Sequence, residues 1–296
     1  MRKTSVYLPD HLKRALAARA AATRRSEAEV LRAAVEAEVA SPTASPGRAE
    51  PAEPPQPGRL VGIGVGPGDP DLLTVRALTA LRRADRVLAP ATAPDAVGRA
   101  ETIVRQATPD VRVERVAFAM HPDPEVRAEA LRAVADAVVD HLDAGEEVGF
   151  ITLGDPLTYS TFSTVADKVR LRRSEATVEV VPGIMAFQCL AARTHTVLVD
   201  ERQRLTVRTA LDSDDLSADL AAELADPART VVLYKGGRQL PELAEAARAA
   251  GRLEGAVAGE LLGMTGERIA TLSELATGPA SYLATVILPA QHGGAL

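Results

Sequence analysis

Tryptophan is absent and aromatic residues make up only 3% of the 296 residues, so the core must be packed mainly from Ala, Val, Leu and Ile. The single cysteine, Cys189, excludes an intrachain disulfide and any cysteine-cluster metal site. No apolar run approaches the ~18 residues of a membrane-spanning helix. The basic start Met1-Arg-Lys has no apolar segment behind it, so no secretory leader is expected. These absences point to a reducing cytoplasm and to no membrane partner. His11, His121, His141, His195 and His292 are scattered, without triad or metal-ligand spacing. Surface or capping roles are expected for them, and no metal.

What is present divides unevenly. The chain is 46% hydrophobic, enough for a globular core, and carries a net charge of −6. Residues 1–48 hold nine Lys/Arg against five Asp/Glu, whereas the rest holds 25 against 35. A small basic head on an acidic body suggests two parts with different partners. Between them, Pro42, Pro46, Pro51, Pro54, Pro55 and Pro57 mark residues 41–58 as a tether, because proline at this density removes backbone donors and favours extended chain.

Residues 1–40 read as β-α-α. Lys3 to Leu8 alternates, with Val6 and Leu8 on one face and Lys3, Ser5 and Tyr7 on the other. Pro9-Asp10 ends the strand and starts a helix with Leu12 and Leu16 on its apolar side. Ser26, with Glu29 three residues on, is a capping box opening a second helix with Val30, Leu31 and Val35. So small a unit buries too little to fold alone, and dimerisation is expected.

After the tether, strands and helices alternate, as in an α/β fold. Strands are expected at 60–65, 86–89, 148–153, 178–181, 204–209, 230–234, 256–258 and 281–288. Helices are expected at 72–84, 125–144, 162–170, 185–193 and 241–251. Three strand-to-helix turns carry the candidate chemistry. The first is Gly62-Ile-Gly-Val-Gly-Pro67-Gly-Asp69-Pro. It does not fit a dinucleotide fingerprint: the third glycine position falls on Pro67 or Asp69, and Asp69 and Asp71 would repel a pyrophosphate. The second is Gly154-Asp-Pro-Leu-Thr-Tyr-Ser-Thr-Phe162, and the third Val181-Pro-Gly-Ile-Met-Ala186. Such turns at the carboxyl ends of strands in one sheet converge on one edge, where α/β folds bind ligands.

In order and approximate spacing, these three segments resemble the tetrapyrrole methylase family over about Leu60 to Pro289. Gly154–Phe162, Leu233-Tyr-Lys-Gly-Gly-Arg238 and Glu260–Ile269 look most like the branch that methylates precorrin-2 at carbon 20. The resemblance implies a two-domain methylase, residues 59–195 and 196–296, with S-adenosylmethionine in the cleft between domains. It implies a role in cobalamin biosynthesis, with precorrin-2 or cobalt-precorrin-2 as substrate. Carried over by position, Pro67, Leu153, Gly154, Asp155, Thr158, Met185, Ala186, Tyr234, Lys235 and Leu262 become the expected cofactor-binding residues. A polycarboxylate substrate needs basic groups, for which Lys235, Arg238 and Arg268 are candidates. No catalytic acid or base is assigned. Methyl transfer to an electron-rich carbon depends chiefly on in-line positioning.

The N-terminal unit resembles the ribbon-helix-helix family, which implies a homodimer and places Lys3, Ser5 and Tyr7 toward DNA. Other readings remain open: a sister methylase acting elsewhere on the ring, a methylase of RNA or protein, or a DNA-binding regulator that uses the body as a ligand sensor.

Overall fold

The computed structural model describes residues 10–23, 25–40, 58–93, 95–118, 123–210, 216–278 and 280–291. The chain divides into two compact units, Met1–Pro54 and Pro55–Leu296.

In the first unit, helices α1 (Asp10–Thr23) and α2 (Glu27–Ala40) form a hairpin. The expected capping box is formed: the Ser26 amide donates to the Glu29 carboxylate at 2.8 Å, and the Glu29 amide donates to Ser26 Oγ at 3.2 Å. These bonds hold the Glu29 carboxyl below its ordinary range. Ala20 is buried, whereas Leu12 on the apolar stripe is 47% exposed. Lys3, Ser5, Tyr7, the expected first strand and the tether up to residue 57 lie outside the described residues.

The second unit opens with a fully parallel sheet. Its strands are β1 (Arg59–Gly64), β2 (Arg86–Ala91), β3 (Val113–Ala117), β4 (Glu147–Thr152) and β5 (Thr177–Val181), in the order β3-β2-β4-β1-β5. Helices α3 (Val75–Arg83) and α4 (Arg99–Ala107) cover one face, while α5 (Pro124–Asp143) and α6 (Thr161–Arg172) cover the other. With both faces covered, β1 and β4 are almost wholly buried, which is why they read as unbroken apolar runs.

After α7 (Ala186–Thr194) comes a mixed sheet of order β6-β7-β10-β8-β9. Its strands are β6 (Arg204–Thr209), β7 (Arg229–Tyr234), β8 (Val257–Glu260), β9 (Arg268–Thr271) and β10 (Thr285–Leu288). Only β6 and β7 are parallel; the remaining pairs are antiparallel. Helices α8 (Leu216–Leu224), α9 (Leu240–Ala249) and α10 (Leu272–Leu275) pack on one face with Val286 of β10. The other face presents Val232, Tyr234 and Ile287 to α7 and to Leu72, Met185 and Ala186. The two sheets therefore share a core beside the carboxyl ends of β1, β4 and β5.

Two expected elements differ. The helix expected over 72–84 is a 3-10 turn, Pro70–Leu72, followed by a fresh start at α3. Asp69 caps the turn through the Asp71 amide (2.9 Å), and Thr74 caps α3 through the Ala77 amide (3.0 Å). The strand expected over 281–288 begins only at Thr285. The Ser281 amide is held by the buried Glu260 carboxylate and the Ala284 amide bonds back to the Ser281 carbonyl, so residues 281–284 form a turn. Helices α4 and α8 and strands β3 and β9 were not expected from the pattern.

Candidate active site

The three strand-end loops meet backbone to backbone. A Cβ added at Gly183 would lie 2.1 Å from the Gly154 carbonyl oxygen, and one at Gly64 would lie 2.6 Å from both that oxygen and the Gly183 nitrogen. Glycine is required there because no side chain fits between the loops. Hydrogen bonds hold the approach: the Val65 amide donates to the Thr152 carbonyl (2.9 Å), and the Gly154 amide to the Gly66 carbonyl (2.8 Å). Asp155 staples the second loop to the third. Its Oδ1 accepts from the Leu157 amide at 2.9 Å and its Oδ2 from the Gly183 amide at 3.1 Å. With both oxygens engaged, this carboxylate shapes the loops.

Over this edge lies a cavity of about 240 Å³. Pro67, Leu153, Gly154, Asp155 and Thr158 line it from the first two loops, and Met185 and Ala186 from the third. Tyr234, Lys235, Leu283 and Thr285 line it from the second sheet. Tyr159 adds an aromatic wall. Its ring stands edge-on to Tyr234 at 6.0 Å and 66°, and its hydroxyl donates to the Val207 carbonyl at 2.9 Å, tying the second loop to β6. The Tyr234 hydroxyl accepts from the Phe187 amide at 3.4 Å in the first turn of α7, and burial pushes its phenol up from the ordinary value. It therefore stays protonated at neutral pH and acts as a fixed dipole.

The closure of the second sheet on the loops is tight. A Cβ at Gly68 would lie 1.9 Å from the Leu262 carbonyl oxygen. Five non-glycine residues among those described have a left-handed backbone, and three of them border this region: Tyr159 (φ 49°), Lys235 (φ 59°) and Leu261 (φ 51°). Each such residue costs about 1–2 kcal/mol, and strain of this kind collects at functional sites.

Thr285 supplies the clearest polar signal. Its side chain is fully buried and its Oγ1 makes no hydrogen bond. By strand alternation it shares a face with Ile287, opposite Val286, and so faces the cavity. Native proteins rarely leave a buried hydroxyl unpaired, so this one is a hydrogen-bonding position open to whatever fills the cavity, water or ligand.

The cavity does not end there. Pro67, Leu153, Ala186 and Leu283 also line a junction of about 30 Å³ together with Arg99 and Leu262. Arg99, Leu153 and Leu283 then border an open trough of about 500 Å³ lined by Pro90, Phe118 and Thr161. A half-enclosed cavity thus adjoins, through the shared walls of Leu153 and Leu283, a wider trough with room for a second ligand.

Comparison with known proteins identifies this architecture. The family profile described as Tetrapyrrole (Corrin/Porphyrin) Methylases matches residues 59–276. The chain belongs to the tetrapyrrole methylase family. Precorrin-2 C(20)-methyltransferase from Sinorhizobium sp is 34% identical over 241 residues, spanning 78% of this chain and 95% of that protein. Cobalt-precorrin-2 C(20)-methyltransferase from Salmonella typhimurium is 36% identical over 151 residues, 51% of this chain and 62% of that protein. Among solved structures, uroporphyrin-III C-methyl transferase from Thermus thermophilus complexed with S-adenyl homocysteine superposes with a TM-score of 0.54. It is 22% identical, and the match covers 78% of this chain and 92% of that one.

In this methylase, nine of the ten residues carried over from the motifs line the one cavity, and Leu262 lines the junction beside it. Lys235 reaches the cavity, but Arg238 and Arg268 line neither it nor the trough. Arg268 is drawn to Glu260 across β8 and β9. Sequence reasoning missed Tyr159, Leu283, Thr285 and Arg99. Tyr159 adjoins Thr158 in the second motif, so the loop had been found but not its turn. Leu283 and Thr285 lay hidden in an expected strand, and Arg99 opens a helix that the pattern did not reveal. Of the histidines, His195 ends α7 in a left-handed conformation, and His141 Nδ1 lies 2.8 Å from the Glu146 carboxylate.

Proposed function

We propose that this chain transfers the methyl group of S-adenosylmethionine to carbon 20 of precorrin-2, or of its cobalt form, in cobalamin biosynthesis. The observation that carries the reading is the cavity built from all three motif loops and adjoining a trough. The similarity to the Sinorhizobium precorrin-2 C(20)-methyltransferase over 241 residues supports the substrate. Residues 59–195 and 196–296 are taken as its two domains, with the donor between them.

The residues present suit the donor. Tyr159 and Tyr234 offer aromatic edges to a purine, and Thr285 offers an unpaired hydroxyl. The Lys235 ammonium suits a carboxylate, and the remaining walls are largely apolar. Bound there, the sulfonium would supply a methyl group to a nucleophilic ring carbon: the carbon–sulfur pair would stay on sulfur, the new carbon–carbon bond would take its electrons from the macrocycle, and the hydrogen displaced from that carbon would leave as a proton to a ring nitrogen or to solvent. The chain's own contribution is to hold the two reactants in line and keep water out, without a side-chain base. Leu153 and Leu283, shared by cavity and trough, stand where donor and acceptor would meet.

The test is a methyl-transfer assay with labelled S-adenosylmethionine and precorrin-2, with and without cobalt, the product mapped by carbon NMR. A new methyl group at carbon 20 is expected. Transfer to another ring position would make the chain a sister methylase, and binding of both ligands without transfer would favour a ligand sensor.

A further inference from the structure

The trough has an apolar floor, with Pro90, Ala91, Val97, Phe118 and Leu283 among its lining residues. Arg99 is the charged residue in both the trough and the junction; every other residue lining those two cavities is uncharged. Its guanidinium makes no hydrogen bond or ion pair among the described residues. Most other arginines of the body are committed: Arg59 to Glu147 and Glu179, Arg86 to Glu114 and Glu146, Arg115 to Glu101, Arg268 to Glu260.

Local structure fixes the place of this charge. Gly98 caps α4, and a Cβ there would lie 2.8 Å from the Pro90 carbonyl oxygen, so the start of α4 sits hard against the end of β2. Arg99 is the first residue of that helix, where a cation opposes the positive end of the helix dipole. Among the described residues nothing offsets this mismatch, and mismatches of this kind are expected at functional or strained positions.

We propose that Arg99 binds a carboxylate of the acceptor and sets its orientation over the junction. This rests on the reading of the trough as the acceptor site. A guanidinium takes a carboxylate through paired N–H···O bonds, fixing direction as well as affinity. Arg99 supplies this contact in place of Arg238 and Arg268, which lie outside the trough. A macrocycle lying on the apolar floor with one side-chain carboxylate at Arg99 presents one edge toward Leu153 and Leu283, which line both trough and cavity, and so selects which ring carbon meets the methyl group.

The experiment compares wild type, Arg99→Gln, Arg99→Lys and Arg82→Gln, the last an exposed arginine on α3 away from the trough. Binding of a polycarboxylate porphyrin is read by fluorescence quenching, and binding of S-adenosylhomocysteine by calorimetry. Arg99→Gln is expected to weaken porphyrin binding about tenfold or more, as loss of a charge-assisted hydrogen bond does. It should also flatten the salt dependence and leave S-adenosylhomocysteine binding within twofold. Arg99→Lys should restore part of the affinity, and Arg82→Gln should match wild type. Equal porphyrin binding by wild type and Arg99→Gln overturns the role of Arg99 alone. No porphyrin binding by wild type overturns the acceptor trough, and the proposal with it.

Discussion

Replacing Gly183 with alanine tests whether the contact between the three loops builds the cavity. The new Cβ would lie 2.1 Å from the Gly154 carbonyl oxygen and 2.8 Å from Gly64 Cα, against the ~3.3 Å of an ordinary carbon–oxygen contact. One loop must therefore retreat by roughly 1 Å. Every atom in the way is backbone, and the ends of β1 and β4 are cross-bonded through Val65 and Gly154, so no side-chain rotation relieves the clash. If the third loop moves, Gly183 loses its bond to Asp155, and Met185 and Ala186 shift; if the second moves, Gly154 and Asp155 shift. Overpacking costs ~1–3 kcal/mol and the lost amide–carboxylate bond a further ~1.5–3 kcal/mol. A loss of about 3 kcal/mol is expected, which for a body of this size lowers Tm by about 6–12 °C. S-adenosylhomocysteine affinity should fall at least about tenfold, since a wall of the cavity has moved. Gly251→Ala is the control. It has a left-handed backbone (φ 67°) and free space around the new Cβ, but stands just beyond α9, far from the loops. Strain of about 1–2 kcal/mol should lower its Tm and leave ligand binding unchanged. Calorimetric titration and thermal unfolding of both variants decide the matter. If Gly183→Ala binds S-adenosylhomocysteine as wild type does and melts no lower than Gly251→Ala, the loop contact does not build the cavity.

Two further outcomes are expected. Thr285→Val keeps the shape of the side chain and removes its hydroxyl, so S-adenosylhomocysteine affinity should drop roughly 2- to 12-fold while the Tm of the unliganded protein is not lowered; Thr285→Ser should bind as wild type does, and equal affinity in all three would deny the hydroxyl a ligand. Glu101 is fully buried, and bonds from Arg115 (2.7 and 3.0 Å) and then Arg105 (2.8 Å) hold its carboxyl below the ordinary glutamate value of 4.5. Its contribution is thus complete above about pH 4.5 and is lost as pH falls through the folded value. Glu101→Gln should cost about 1.5–3 kcal/mol at pH 7 by urea unfolding, and the gap to wild type should narrow at pH 3.5; a gap of constant size would refute the linkage.

Sequence pattern alone determined the strands that are buried on both faces and the turns between them. β1, β4 and β7 are unbroken apolar runs bounded by Gly, Pro and Asp, and both the capping box at Ser26 and the proline-opened helices carry their signals within four residues. Seven of the ten residues that the family resemblance marked for the cofactor lie in or beside three short motifs whose glycines are demanded by backbone contact, and these line the cavity; Tyr234, Lys235 and Leu262 lie outside those motifs and came from the resemblance alone. α4 and β3 were not legible. Their residues, Arg-Ala-Glu-Thr-Ile-Val-Arg-Gln-Ala and Val-Glu-Arg-Val-Ala, alternate charge with apolar groups because Glu101 is neutralised by Arg115 and Arg105, partners that only the fold brings together. In the second sheet β6, β7 and β8 were legible as strands, β9 was not, and β10 was expected to begin four residues too early. Its register puts Thr285 opposite Tyr234 on the cavity face, whereas Leu283 reaches the cavity from a turn that Glu260 holds in place. Local propensity carries no record of such long-range bonds. Which cation lines the trough is likewise a tertiary decision: Arg99, Arg238 and Arg268 are equivalent as letters, and only Arg99 of the three is set there by the folded chain.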